Sequence, residues 1–167
     1  MPRIRSLSTI HRPLTLYALL LNVLSISVCL SQSGTVDKSH VVRGTWVLKS
    51  IYSTQNVEGP SVSQQKKLLG TTIILNTDSL EACGQSVPIN SVKVNQISSA
   101  DFLANTRARF SEVGIKTPSI TEVVINDGQS GTCFDAFPLP GQDVYIKNKD
   151  EILVDFEGVF YRALRKK

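Results

Sequence analysis

Histidine is scarce in this chain. It occurs twice in 167 residues, at His11 and His40. A Ser-His-Asp or Cys-His device needs a histidine base beside its nucleophile. A protein zinc site draws on several His and Cys ligands. The chain shows neither pattern, and its three cysteines include no Cys-x-x-Cys pair of the redox type. The glycine-containing stretch Asn126–Thr132, "NDGQSGT", lacks the lysine and the following helix of a phosphate loop. A carboxylate pair could run acid–base hydrolysis. Asp155 and Glu157 lie two apart, which in a strand gives one solvent-facing stripe opposite Val154 and Phe156. Glu122 and Asp127 read as surface residues in the same way. The expectation is a chain without catalytic residues, cofactor or metal.

What is present begins with a leader. Arg3, Arg5 and Arg12 precede "LTLYALLLNVLSISVCL", an uncharged run from Leu14 to Leu30. A basic stretch followed by an apolar one is the pattern of a secretory signal peptide. Residues 1–31 are expected to be removed, with an uncleaved anchor and a lipidated Cys29 as the alternatives. Cleavage changes the charge argument. The whole chain is +4, but with the three leader arginines gone, 15 Lys and Arg face 14 Asp and Glu, about +1. Nucleic-acid binding needs a concentrated basic surface, and none remains. The expected location is secreted or periplasmic, with membrane contact only through an uncleaved leader.

Removal of the leader also leaves an even pair of cysteines, Cys83 and Cys133. In an exported chain such a pair reads as a disulfide. It would close a loop of about 50 residues, worth ~4 kcal/mol in the chain-entropy account.

Residues 32–40 are polar and read as a linker, and 41–167 as one domain. "TWVLKSIYS" alternates as a strand from Thr45, with Trp46, Leu48 and Ser50 on one face. "SVSQQKKLLG" has a short-helix pattern, with Ser63 as cap and Gly70 as stop. "TDSLEACGQSVP" reads as a turn. "SSADFLANTRARFSEVGI" predicts the one substantial helix, Ser99–Val113, opened by a Ser98/Asp101 capping box and buried through Phe102, Leu103, Phe110 and Val113. "ITEVVIN", "DVYIKN", "EILVDF" and "VFYRALR" are strands. The last three are joined by turns too short for crossovers, so they form an antiparallel meander. The predicted fold class is mainly β (α+β): a meander sheet or small barrel of seven to eight strands with one mid-chain helix.

In that setting Gly44-Thr45-Trp46 resembles the opening motif of the lipocalin and avidin-like barrels, and the basic last strand "FYRALRKK" resembles their ending. The resemblance implies that Trp46 closes one end of a barrel beside Arg165 or, less well placed, Arg162. It also implies a ligand inside. A guanidinium can stack on an indole and still donate to carbonyls. The leading functional expectation is therefore an exported non-enzymatic barrel holding a small apolar ligand, with Trp46, Arg162 and Arg165 as ligand or barrel-closing residues. The alternative is a protein-interaction module, such as an inhibitor of an extracytoplasmic hydrolase, acting through Phe134, Phe137 and Leu139 on the loop held by Cys133.

Overall fold

The computed structural model describes residues 39–55, 58–128, 131–134 and 136–167. The expected leader, with Cys29, and most of the expected linker lie outside these residues. The domain opens with a helical turn, α1 (Ser39–Val42), which takes in His40. Strand β1 (Gly44–Thr54) follows, then helix α2 (Val62–Lys67) and three short strands, β2 (Thr72–Leu75), β3 (Ser79–Ala82) and β4 (Gln85–Pro88). Strand β5 (Ser91–Ser98), helix α3 (Ser99–Thr106) and β6 (Ser119–Asn126) come next. A two-stranded ribbon, β7 (Thr132–Cys133) and β8 (Phe137–Pro138), precedes the closing meander β9 (Asp143–Asn148), β10 (Glu151–Phe156) and β11 (Val159–Arg165).

Nine strands form one antiparallel sheet in the order β4-β3-β2-β1-β11-β10-β9-β6-β5. The count exceeds the seven or eight expected, because "TDSLEACGQSVP" is a hairpin and not only a turn. Cys83 and Gly84 both take positive φ (54° and 76°) between β3 and β4, the conformation a two-residue hairpin turn requires. Glu157 and Gly158 (53° and 76°) do the same between β10 and β11.

Strand direction reveals how the sheet curls. Every neighbouring pair is antiparallel. Counting directions both ways from β1, β4 and β5 run the same way, although they stand at opposite ends of the order. Only Ile89 and Asn90 separate them. Ile89 N donates to Asp78 O on the β3 side, and Asn90 N donates to Asn126 O beside β6. The chain thus passes from one edge of the sheet directly to the other, which a flat sheet could not allow. The sheet is a curled half-barrel.

The curl creates two cores. Inside it, Trp46, Leu48, Ile73, Leu80, Val123, Val154 and Tyr161 meet, drawn from both ends of the strand order. Trp46 and Leu48 share that face as expected, but β-bulges after Leu48 and Ile51 shift the phase, so Ile51 rather than Ser50 continues it. On the outside, Tyr145, Leu153 and Phe160 are covered by α3 and residues 107–115. Phe102 is the centre of this second core, with ring centroids 5.1 Å from Phe110, 5.1 Å from Tyr145 and 5.7 Å from Phe160.

The helices differ in extent from the sequence reading. Helix α3 is capped by Ser98, whose hydroxyl accepts from Asp101 N at 3.2 Å. It ends at Thr106 rather than Val113. Thr106 Oγ1 donates back to Phe102 O (2.7 Å) and accepts from Ala108 N (3.2 Å), and Arg107 turns the chain at φ 62°. Phe110 reaches Phe102 by folding back rather than by helical spacing, and Leu103 is left exposed. Helix α2 is capped by Ser61, in a capping box with Gln64, rather than by Ser63.

Phe102→Ala is expected to cost about 3–5 kcal/mol, measured by urea unfolding, because three rings lose their common partner.

Candidate functional site

Arg165 lies directly across from Trp46 in the β1–β11 pairing, so the two side chains share a face. The guanidinium carbon sits 4.1 Å from the Trp46 ring centroid. Nη1 donates to Arg43 O (2.7 Å), Nη2 to Val41 O (2.6 Å) and Nε to Lys149 O (2.8 Å). Trp46 Nε1 donates to Val42 O at 2.6 Å. One side chain thus ties α1, the β9–β10 turn and the first strand together. Gly44, at φ 129°, leaves room for it, since a Cβ there would collide with Nη1.

Trp46 is fully buried and has no face open to a ligand. Arg162 takes no part in this clamp. It stands three residues from Arg165, hence on the opposite face, and pairs with Glu151 at 3.0 Å. Glu151 also receives Lys147 (2.8 Å) and the Tyr52 hydroxyl (3.0 Å). Burial acts to raise the Glu151 carboxyl, but the bonds from Arg162, Lys147 and Tyr52 outweigh it and hold the group down at about 2. Lys147 also reaches Val113 O (3.3 Å), so the cluster pins the covering segment to the sheet.

The inside of the curl is occupied by the protein's own side chains. Trp46, Tyr161, Phe156, Leu48, Leu68, Ile73, Leu75, Leu80, Leu139 and Ile152 are all among its fully buried residues. The loop expected to present Phe134, Phe137 and Leu139 turns them inward. Leu139 is 1% exposed, Phe134 and Phe137 pack against the inner core, and Phe137 meets Phe156 edge to face at 6.1 Å. Cys83 and Cys133 are joined, with Cα atoms 5.8 Å apart, and this bond draws the loop onto the β3–β4 turn. In this loop Leu139 is buried, while Phe134 and Phe137 are half-buried against the core.

A different site forms at the outer rim. Gln55, Glu58, Asn105, Thr106, Arg107, Asp155 and Gly158 line an open groove of about 420 Å3. Three local features build it. Helix α3 ends there, and Arg107 at positive φ places its side chain at the rim. The β10–β11 turn supplies Asp155 and Gly158, and Gly158 N donates to Asp155 Oδ1 at 3.0 Å. The end of β1 supplies Gln55, whose N–H bonds to Gly158 O (2.8 Å).

The electrostatics of this rim are unusual for a sheet surface. Asp155 stands directly opposite Asp143 in the β9–β10 register. Burial pushes the Asp155 carboxyl up to about 7, against the pull of the Gly158 N–H, and the charges of Asp143 and Glu157 push the same way. Asp143 is also raised, by burial and then by Glu122 and Glu157. The expected solvent-facing stripe of Asp155 and Glu157 is therefore a half-buried acidic rim. Asp127, expected at the surface, is buried and accepts from Gln142 Nε2 at 2.7 Å.

The Asp143–Asp155 pairing was not legible in the meander, because a bulge between Glu151 and Ile152 shifts the register that the turn alone would set, in which Asp155 would face Val144. Gln55, Glu58, Asn105, Thr106 and Arg107 carried no signal, because the early end of α3 brings the last three to the turn and the pairing of β1 with β11 brings Gln55 there.

The chain matches no protein-family model, no curated protein and no solved structure. Among the described residues no helix is long and apolar enough to cross a membrane.

Two outcomes are expected. Arg165→Lys keeps the charge but loses the fork and the stack, and should cost about 1–3 kcal/mol in urea unfolding. Asp155 binds its proton more tightly folded than unfolded, so stability falls as pH rises from about 4 to about 7. Asp155→Asn keeps the acceptor for Gly158 and removes this penalty. It should stabilise the protein at pH 8 by on the order of 1 kcal/mol and flatten the decline, read as Tm against pH.

Proposed function

We propose that this is an exported, non-catalytic binding protein whose ligand seat is the groove beside Asp155, and not the inside of the curl. The ligand is a small polar molecule carrying a cationic group, an ammonium or a guanidinium. The observation that carries this is Asp155. Its carboxyl lines the groove, is half withdrawn from water, and sits beside Asp143 and Glu157. Two carboxylates forced together gain from a cation placed between or beside them. Asn105, Thr106, Gln55 and Arg107 offer hydrogen bonds for the rest of the molecule. An apolar ligand has no comparable support, because the inner core is filled.

The scaffold reading extends the resemblance of Gly44-Thr45-Trp46. Counted as one strand bent at Pro88–Asn90, β4 and β5 bring the number to eight in up-and-down order, the plan of the lipocalin and avidin-like barrels. Trp46 and Arg165 then close one end, and the groove sits at the outer rim by the β10–β11 turn. Export is supported by the basic-then-apolar leader and by the Cys83–Cys133 bond.

The test is amide chemical-shift mapping with agmatine, spermidine and their neutral amide analogues at pH 6 and pH 8. The cations should shift Asn105, Thr106, Arg107 and Gly158. Affinity should rise about tenfold between the two values, as Asp155 gives up its proton near 7. Asp155→Asn should abolish that rise. Neutral analogues that bind as well as the cations, or an absence of shifts at these amides, would sink the proposal.

A further inference from the structure

The two ends of the nine-stranded sheet are treated differently. At β4 the edge is occupied. The Gln85 side chain donates to Thr132 O (2.8 Å) and accepts from Thr132 N (3.1 Å), standing in for a neighbouring strand. The Cys83–Cys133 bond lies beside it. Among the described residues strand β5 has no such cover. It pairs with β6 over eight consecutive residues without a bulge, Ser91 with Asn126 through Ser98 with Ser119. Helix α1 approaches it, yet the six residues Ser91–Gln96 are exposed on both faces. Val92 and Val94, opposite the core residues Ile125 and Val123, remain 38% exposed. A straight edge of this length, with no proline and no bulge, is a template for another strand.

We infer that β5 is the contact between two copies of this chain, paired antiparallel about a two-fold axis at Val94. The strand itself selects the partner and the register. A two-fold axis perpendicular to a continuous sheet must pass through a residue position, so that facing side chains share a face. Centred on Lys93, the pairing sets two ammonium groups against each other. Centred on Asn95, it sets Lys93 over the partner's Ile97. Centred on Val94, it sets valine against valine, Val92 against the partner's Gln96, and Lys93 against the partner's Asn95. Asn95 Nδ2 already donates to Glu122 Oε2 (2.9 Å). Lys93 therefore arrives beside a carboxylate, twice by symmetry, and among the described residues it has no other ion-pair partner. One eight-residue edge buries less than the ~1,200 Å2 of a standard interface, so the dimer is weak and reversible. This contact is independent of the groove, which lies at another part of the sheet.

The test uses the protein secreted from its natural leader, in sedimentation velocity up to millimolar concentration. The wild type should show a monomer–dimer equilibrium. Val94→Lys, which places two ammonium groups on the axis, should weaken dimerisation at least tenfold with an unchanged Tm. Val94→Cys should form a covalent dimer under mild oxidation, because directly opposed Cα atoms stand about 4.5–5.5 Å apart, within disulfide reach. Lys93→Cys should not, because its symmetry mate is diagonal at roughly 7–8 Å. A peptide mass map showing Cys83–Cys133 intact guards the cross-linking against thiol exchange, and the Val94→Lys result does not depend on it. A wild type that stays monomeric, or a dimer that survives Val94→Lys, overturns the proposal.

Discussion

The pairing of the first strand with the last is the constraint on which the rest depends. Strands β1 and β11 are in register from Trp46–Arg165 to Thr54–Val159, and each then carries its own sequence neighbours outward, β2 on one side and β10 on the other. Without that seam the sheet would be two separate meanders, each with a bare edge. Closing it costs the entropy of joining residues more than 100 positions apart. Arg165 helps to offset that cost at the point where it is highest. Its fork donates to three carbonyls on two separate segments while its plane covers the indole, something a lysine could not do. The carbonyls of Val41 and Arg43 belong to the end of α1 and the residue after it, so the same contact satisfies backbone groups left over where a helix stops.

Once the seam is closed, the two faces of the sheet have different tasks. The inner face is apolar from Leu80 to Val154. The outer face is apolar only where Phe102 and the 107–115 segment cover it, around Leu153, Phe160 and Tyr145. At either end of that patch the outward positions of the same strands must be polar, and they are resolved in opposite ways. At one end Glu151 receives two cations and a hydroxyl, and its carboxylate is strongly favoured. At the other, Asp143 and Asp155 face each other, neither has an ion-pair partner among the described residues, and their carboxylates are disfavoured. A structural ion cluster and a destabilised acidic rim thus stand on the same strand, four residues apart. Strain collects at the second end as well. Arg107 and Glu157 both hold positive φ there without being glycine. Disfavoured charge together with disfavoured backbone is the combination that marks functional ground in other folds.

Much of this fold was legible in the sequence, and the failures have physical causes. Alternation picked out the strands of the closing meander, and Glu157-Gly158 its turn. Trp46 and Arg165 were placed in one neighbourhood by the resemblance of Gly44-Thr45-Trp46 and the last strand to the lipocalin and avidin-like barrels, with Arg162 as the lesser candidate; the room that Gly44 leaves for Arg165 carried no signal. Leu103 and Phe110 were placed on one helical stripe, because periodicity does not register Thr106 folding its hydroxyl back on Phe102 O and ending the helix. Phe134, Phe137 and Leu139 look like exposed anchors in a Gly- and Pro-rich stretch. Their inward turn depends on where the disulfide pulls the loop, and that is tertiary information. The groove was hidden for the same reason, since three of its seven residues, Asn105, Thr106 and Arg107, reach it through the early stop of α3.

The change of edge at Ile89–Asn90 explains both why this sheet can curl and why it cannot fully protect itself. A strand that pairs with β3 over its first half and with β6 over its second must leave each half with one unpaired side. On the β4 half the unpaired side is short, and a single glutamine amide matched to one residue of β7 is enough to occupy it. On the β5 half it runs for eight residues, beyond the reach of any one side chain. Pro88 stands at the end of the first half, where a missing N–H limits further pairing of β4. No corresponding residue interrupts β5, whose alternation of Val92, Lys93 and Val94 is that of a strand built to be paired. The same local economy that closes the curl therefore leaves one long edge, exposed over Ser91–Gln96 among the described residues.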